Sequence, residues 1–107
     1  MRITPADIEA SIASESYFTA ADGLRGAGGG NHILAEYVTY EGSPLAQITI
    51  CVLILKNGYK IVGVNEGSVD PANFDTAIGR KYAREKAVDQ IWPLLGYELK
   101  TQLASGY

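Results

Sequence analysis

The chain has 107 residues, of which 47% are hydrophobic and 20% charged, and its formal net charge is -3. This length and composition predict one folded domain, residues 1–107, whose small core could gain stability from self-association. The isoelectric point near 5.0 argues against a binder of duplex DNA or RNA, because such proteins are usually basic.

The sequence carries no signal that points away from the cytoplasm. Its single cysteine excludes an internal disulfide, which fits a reducing compartment. The first 15 residues have early charges and no apolar stretch of the kind found in signal peptides. No apolar run approaches the roughly 20 residues needed to span a bilayer. We therefore expect a cytoplasmic protein without membrane contacts.

The first predicted element is a short helix. Thr4 is a typical N-cap, Pro5 suits the first helical position, and Asp7 stands where a capping box requires an acid. Ile8 and Ile12 mark the apolar side of this helix, and the pattern ends near residue 15.

A glycine-rich segment follows. Five glycines lie between Gly23 and Gly30, so residues 19–32 are predicted to form a flexible loop. This loop is interpreted as a surface flap, or alternatively as a lid that contributes Arg25 to a ligand site.

Segments rich in β-branched and aromatic residues predict three strands of an antiparallel meander, at 33–40, 46–55 and 59–65. The middle strand is apolar on both sides, which places it at the centre of the sheet or against another subunit. Asn57 and Gly58 predict a two-residue hairpin turn. Such a turn would pair Leu53 with Val62.

A long helical pattern begins near Asn73, after a loop at residues 66–75. Pro93 should end or kink this helix, and a leucine stripe continues beyond it. The order helix, meander, helix predicts an α+β fold with the helices packed on one face of the sheet.

The long helix has two contrasting sides when it is placed at about 100° per residue. The apolar side, predicted to face the core, contains Phe74, Ala77, Ile78, Tyr82, Val88, Ile91 and Trp92. Lys81 and Glu85 fall within that side as a pair. The opposite side carries the small residues Ala72, Thr76, Gly79, Ala83 and Ala87. A small-residue side predicts close helix contact across a dimer or a larger even oligomer, with a solvent-exposed face as the alternative.

Arg80 and Arg84 lie between these sides, four residues apart. Two arginines on one ridge can hold a phosphate or carboxylate in fork geometry, although a solvated charged surface is the common alternative.

The sequence contains no group of residues typical of a catalytic site. His32 is the only histidine and adjoins the glycine loop, while Cys51 belongs to the most apolar strand and is expected to be buried. We therefore expect neither enzymatic activity nor a metal or cofactor.

The stretches "TPADIEASIASESYFTAADG" and "NFDTAIGRKYAREKAVDQIWPLLGYEL" resemble a family of small phage and prophage proteins. The founders of that family are the gene-forty-nine and gene-sixty-six products of two enterobacterial phages. The chain departs from the family pattern at "VNEGSVDP", where members have small residues and a cysteine. The chain is also similar to Thoeris anti-defence proteins of the first kind.

The second resemblance implies a non-enzymatic sponge that sequesters a cyclic ADP-ribose-type signal. It also implies a dimer and a pocket formed by Tyr59, Asp70, Asn73, Phe74, Arg80, Lys81 and Arg84. A different class, a protein-binding inhibitor or accessory factor that acts on a host protein, remains the alternative. A minor structural component is a third hypothesis.

Overall fold

The computed structural model describes residues 1–27, 43–67 and 69–106, except for the side chain of Pro71. Its helices and strands are α1 (Pro5–Ser11), β1 (Ile12–Thr19), α2 (Ala20–Gly26), β2 (Thr49–Leu55), β3 (Lys60–Asn65), α3 (Thr76–Asp89) and α4 (Ile91–Ala104). Short 3-10 turns occupy Pro44–Gln47 and Pro71–Asn73. None of the helices in these ranges has the length and apolar character needed to cross a membrane.

The strands form one antiparallel sheet with β2 at its centre. The predicted α+β fold, with a short N-terminal helix, a three-stranded sheet and a long bent C-terminal helical segment, is confirmed. Thr4 caps α1 together with Asp7, as the sequence predicts.

The first strand lies elsewhere than predicted. Residues Ile12–Thr19 form β1, although this stretch was expected to be the end of a helix and part of a loop. Pairing with the strongly apolar β2 outweighs the weak strand character of "ASES", because strand propensity depends on tertiary context. The predicted strand at 33–40 lies outside the described residues.

The segment predicted as a flexible loop at 19–32 also contains structure. Helix α2 begins after Thr19, whose hydroxyl accepts a hydrogen bond from the Asp22 amide while the Asp22 carboxylate accepts one from the Thr19 amide. This capping box is visible in the sequence, but the glycines that follow it led to the prediction of a loop instead of a helix. Residues 28–32 lie outside the described part of the chain.

The β2–β3 hairpin has a three-residue loop instead of the predicted two-residue turn. The Leu55 amide donates to the Tyr59 carbonyl oxygen at 2.9 Å, and Gly58 adopts a φ of 89°. This positive φ at a glycine is typical of three-residue hairpin loops. The predicted register was therefore wrong by one residue: Leu53 pairs with Ile61, not with Val62. The observed register places both side chains in the buried core.

The core lies between one face of the sheet and the helices. Cys51, Leu53 and Leu55 alternate along β2 and are buried, which confirms the predicted burial of Cys51. Burial raises the pKa of the Cys51 thiol. The helices complete this core with Ile8, Ala83, Ala87 and Ile91.

Of the residues predicted to face the core, Ile91 is buried and Val88 packs against the core. Along the rest of α3 the side that faces the core is the opposite of the one predicted. Gly79, Ala83 and Ala87 are buried within the protomer, so they do not form the exposed dimer contact expected from their small size. Thr76 and Ala72 are exposed. The predicted core residues Ile78 and Tyr82 are 51% and 45% exposed, and the Lys81–Glu85 pair also lies at the surface.

Close contact between helix and sheet explains this inversion. A Cβ on Gly63 of β3 would lie 2.2 Å from the Ala83 carbonyl oxygen. A Cβ on Gly79 would lie 2.6 Å from the Thr49 hydroxyl oxygen. The α3 backbone therefore lies so close to the sheet that only small residues fit between them.

The bend in the C-terminal helical segment lies at Gln90, three residues before the predicted kink at Pro93. The Gln90 side-chain amide donates to the Val62 carbonyl oxygen of β3 at 2.7 Å, which ties the junction to the sheet. Pro93 is the third residue of α4. At that position the missing amide hydrogen breaks no helical hydrogen bond.

Candidate functional site

A cavity of about 220 Å³ opens where β3 ends and α3 begins. It is lined by Asn65, Gly67, Asn73, Phe74, Asp75, Ile78, Gly79 and Tyr82. We call it the junction cavity. Two of the predicted ligand-binding residues, Asn73 and Phe74, line it together.

Two aspartates shape the chain around this cavity. The Asp70 carboxylate accepts a hydrogen bond from the Ala72 amide at 3.0 Å, which stabilises the 3-10 turn that ends at Asn73. Asp75 caps α3, accepting from the amides of Ala77 at 2.8 Å and Ile78 at 3.3 Å. The negative charge of Asp75 is thus directed at the helix N-terminus, where it is stabilising. Asp70 therefore has a structural role beside the cavity.

Aromatic and amide groups give the junction cavity its chemical character. Phe74 is half-buried and Tyr82 is 45% exposed, so both rings can contact a ligand. The Lys81 ammonium lies 5.8 Å from the centre of the Tyr82 ring. Tyr82 was missed as a site residue because helical periodicity assigned it to the core, and Asn65 was missed because it ends a strand with no motif of its own.

One buried hydroxyl lies behind the cavity wall. Thr49 is 2% exposed, and its Oγ1 has no hydrogen-bond partner among the described residues. Its neighbour across the helix–sheet contact is Gly79, which lines the cavity. A buried hydroxyl without a partner is unfavourable, which is the energetic cost of placing α3 so close to β2.

Arg84 forms ion pairs with carboxylates of α1 and β1. Its Nη2 lies 2.7 Å from the Glu9 Oε1 and 3.3 Å from the Glu15 Oε1. The hydrogen bond with Glu9 and the further contact with Glu15 raise the pKa of Arg84 above its already high ordinary value. Arg84 therefore joins α3 to α1 and β1, whereas the sequence predicted a ridge available to an anion.

Arg80 continues this network. Its guanidinium lies 5.6 Å from the centre of the Tyr17 ring, a cation–π geometry. The Tyr17 hydroxyl donates to the Glu15 Oε2 at 2.7 Å. Burial, with help from this hydrogen bond, raises the pKa of Tyr17. Arg80 and Arg84 thus lie on the side of α3 that faces β1, where they contact residues of other elements. Tyr82 lies on the side of α3 that faces the junction cavity.

This network predicts an acid-sensitive component of stability. The hydrogen bond from Tyr17 and the contact with Arg84 lower the pKa of Glu15 below its ordinary value of 4.5. A lowered carboxyl pKa contributes stability above the unfolded value, and that contribution is lost as the pH falls through the folded value. Because Glu15 is 39% exposed, solvent screening limits the contribution to less than about 1 kcal/mol.

We expect Glu15→Gln to flatten the decline in the free energy of unfolding between pH 5 and pH 3, as measured by urea denaturation at each pH. Glu85→Gln, which removes one carboxylate from the exposed side of α3 outside this network, is the matched control. Equal slopes for wild type and Glu15→Gln would contradict the assignment.

The remaining predicted site residues lie on other surfaces. Tyr59 lines a separate groove between the hairpin loop and α4, together with Leu94, Leu95 and Tyr97. Arg25 lies on α2 and pairs with Asp22 at 3.1 Å. Within the described ranges, no group of three or more His, Cys, Asp or Glu residues is arranged to hold a metal ion. The predicted set is therefore divided among several surfaces. Asn73 and Phe74 line the junction cavity, whereas Lys81 and Arg84 line a separate groove on α3.

The chain matches a known protein family. The model of the family described as "Phage protein (N4 Gp49/phage Sf6 gene 66) family" matches residues 3–103. No curated protein and no solved structure matches the chain.

Proposed function

The chain belongs to the phage protein (N4 Gp49/phage Sf6 gene 66) family, and we propose that it is a non-enzymatic sponge for a cyclic nucleotide immune signal of the cyclic ADP-ribose type. In this role it would act as a Thoeris-type anti-defence protein in the cytoplasm of the host bacterium. The observation that carries the proposal is the junction cavity, where two aromatic rings and two amide side chains converge.

The lining of the cavity suits the base of a nucleotide. Phe74 and Tyr82 provide ring faces for stacking, and the Asn65 and Asn73 amides can both donate and accept hydrogen bonds at a base edge. A volume of about 220 Å³ is below the range of ~300–1,000 Å³ for pockets that enclose a drug-sized molecule. The cavity would therefore receive one base of the ligand.

The phosphates of such a ligand would lie outside the cavity, next to α3. Lys81 beside Tyr82 supplies a positive charge at that position. Arg84 would not take part directly, because Glu9 and Glu15 already occupy its guanidinium. The site thus differs from the arginine ridge expected from the sequence.

The chemistry of the lining favours binding without cleavage. Hydrolysis of a phosphodiester or glycosidic bond needs a nucleophile with a base, a pair of carboxylates or a metal. Among the described residues that line the cavity, Asp75 is the one carboxylate, and it accepts hydrogen bonds from two helix amides. We therefore expect the ligand to be released unchanged.

Tyr82→Ala is expected to weaken binding about tenfold or more, because stacking on an aromatic ring contributes ~1–3 kcal/mol per base. Titration calorimetry with cyclic ADP-ribose isomers, cyclic dinucleotides and cyclic trinucleotides measures this effect. Tyr97→Ala removes an exposed ring from α4, away from the cavity, and serves as the matched control. Chromatography of the released ligand tests whether it is intact.

Two results would overturn the proposal. One is the absence of binding of any of these nucleotides to the wild-type protein at micromolar concentration. The other is equal affinity of wild type and Tyr82→Ala for a nucleotide that does bind.

A second candidate function, a protein-binding inhibitor of a host factor, is favoured by the sheet face that points away from the core. Val62 and Val64 of β3 are 49% and 37% exposed there, next to half-buried isoleucine and valine side chains of β2. Exposed apolar patches of this kind often mark protein interaction sites. Under this alternative, Val62→Asp would abolish binding to the host protein in a pull-down, whereas Tyr82→Ala would not.

A further inference from the structure

The groove between the β2–β3 hairpin loop and α4, which Tyr59 lines, is a second concave site; we call it the hairpin groove. Its volume is about 420 Å³, against about 220 Å³ for the junction cavity, and the described residues that line the two sites are all different. Pockets that enclose a whole small molecule usually measure ~300–1,000 Å³. The hairpin groove therefore has room for a complete small ligand.

The floor of the hairpin groove is apolar and belongs to the core. Leu55 of β2 is 7% exposed and is part of the buried cluster. Leu94 and Leu95 of α4 are half-buried and pack against that cluster. Because these side chains also hold α4 on the sheet, the floor exists without a ligand. A preformed apolar surface of this kind suits the apolar body of a small molecule.

Two tyrosine rings, one from each element, line the hairpin groove above this floor. Tyr59 of the hairpin loop is 51% exposed and Tyr97 of α4 is 78% exposed, so both rings are accessible to a ligand. The loop fixes Tyr59 through its backbone. The Tyr59 carbonyl oxygen accepts a hydrogen bond from the Leu55 amide at 2.9 Å, and the Tyr59 amide donates to the Asn57 side-chain oxygen at 2.9 Å. The faces of such rings carry partial negative charge.

Glu98 gives the hairpin groove its charge. It is the one charged side chain among the described residues that line the groove. Within the described ranges no Lys or Arg forms an ion pair with it, whereas Glu9 and Glu15 are paired with Arg84. A carboxylate next to aromatic rings attracts a cation, and the rings add cation–π contacts. The same carboxylate repels phosphates, so the hairpin groove and the junction cavity favour different classes of ligand.

We propose that the hairpin groove is a binding site for a small organic cation, an ammonium group that carries an aliphatic or aromatic body. The body of the ligand lies on the leucine floor, and its ammonium group lies between the two tyrosine rings and the Glu98 carboxylate. Asn57, Thr101 and Gln102 also line the groove and supply oxygen acceptors for the N–H groups of a primary amine. Tyr59, which the sequence assigned to a nucleotide pocket, serves this second site.

Three probes with one phenyl body and different charges test the preference for a cation: 2-phenylethylammonium, the neutral 2-phenylethanol and the anion 3-phenylpropionate. Each is titrated into the full chain at pH 7 while the backbone amide signals are followed by NMR. We expect the ammonium compound to bind with a dissociation constant of about 1 mM or below and to shift signals of the hairpin loop and α4. The alcohol should bind about fivefold more weakly, because an exposed charge pair contributes that much, and the carboxylate should not bind.

Glu98→Gln keeps the shape of the side chain and removes its charge. This variant should bind the ammonium compound about fivefold more weakly and the alcohol as the wild type does, so the preference for the cation disappears. Tyr97→Ala should weaken the binding of both compounds, because both lose contact with a ring. Glu66→Gln removes one exposed carboxylate from a position that lines neither site and is the matched control for the change in net charge.

Three results would overturn the proposal. The first is the absence of signal shifts around the hairpin groove with the ammonium compound at about 10 mM. The second is equal affinity of the wild type for the ammonium compound and the alcohol, and the third is an equal loss of affinity in Glu98→Gln and Glu66→Gln. Circular dichroism checks that each variant keeps its helices. Failure of nucleotides to bind the junction cavity would leave all of these expectations unchanged, because the two sites share no described lining residue.

Discussion

Gly63→Ala is expected to lower the free energy of unfolding by about 3 kcal/mol or more, the upper end of the usual cost of overpacking a core. The added methyl carbon would lie 2.2 Å from the Ala83 carbonyl oxygen and 2.5 Å from the Ala87 amide nitrogen. Both atoms belong to the α3 backbone, so no side-chain rotation can relieve the overlap. The whole helix would have to move away from β3, and its contacts with the core would be lost.

Urea denaturation followed by circular dichroism measures this loss. Gly26→Ala is the matched control, because a Cβ on Gly26 of α2 meets no atom of the described residues within 4 Å. The control should be neutral or slightly stabilising, since alanine favours a helix over glycine. Wild-type stability in Gly63→Ala would contradict the close helix–sheet contact on which the description of the core rests.

The sequence predicted the parts of the fold in which local signals agree. Thr4, Pro5 and Asp7 located the start of α1, and the apolar run at 46–55 located the central strand β2. The strand β1 could not be predicted because its residues 13–16 lack strand propensity and acquire their conformation by pairing with β2. Pairing between strands that are distant in the sequence is not visible in the local pattern of residues.

The inverted faces of α3 have a different cause. Hydrophobic periodicity assumes that the largest apolar side chains of a helix face the core. This assumption fails where a glycine in the sheet lets the helix backbone approach closely, as Gly63 does opposite Ala83 and Ala87. The signal that could have indicated this contact was the glycine inside the strand "KIVGVN", since such glycines often mark close approach of another backbone.

The candidate site was predictable only in part, for a related reason. Asn73 and Phe74 were identified and do line the junction cavity. Arg84 was expected to be available to an anion, but its partners Glu9 and Glu15 lie 75 and 69 residues away in the sequence. Whether a surface arginine is available depends on such distant partners, and a helical wheel contains no information about them.

The revised position of the site also changes what a loss of affinity would mean. Arg84→Ala would remove the ion-pair partner of Glu9 and of Glu15, although Glu15 would keep its hydrogen bond from Tyr17, and it would loosen the contact of α3 with α1 and β1. Reduced ligand binding by that variant would therefore report on folding as much as on the site. Tyr82 is the better probe, because its ring is half-exposed and lines the junction cavity directly.

Gly79→Leu is expected to destabilise the protomer by about 3 kcal/mol or more, because even the first carbon of the new side chain would lie 2.6 Å from the buried Thr49 hydroxyl oxygen. If the small residues of α3 formed the helix dimer predicted from the sequence, Gly79→Leu would instead fold normally and associate more weakly.

Thr76→Leu distinguishes these two explanations, because Thr76 belongs to the same predicted dimer surface but is exposed at the start of α3. In the structure this control should change stability by less than about 0.5 kcal/mol, as is usual for surface substitutions. Thermal unfolding and sedimentation of both variants therefore distinguish the two accounts. A Gly79→Leu protein with wild-type stability but a weaker dimer would restore the α3 interface, whereas a large loss of stability confined to Gly79→Leu would establish that Gly79 is small because the sheet lies directly beneath it.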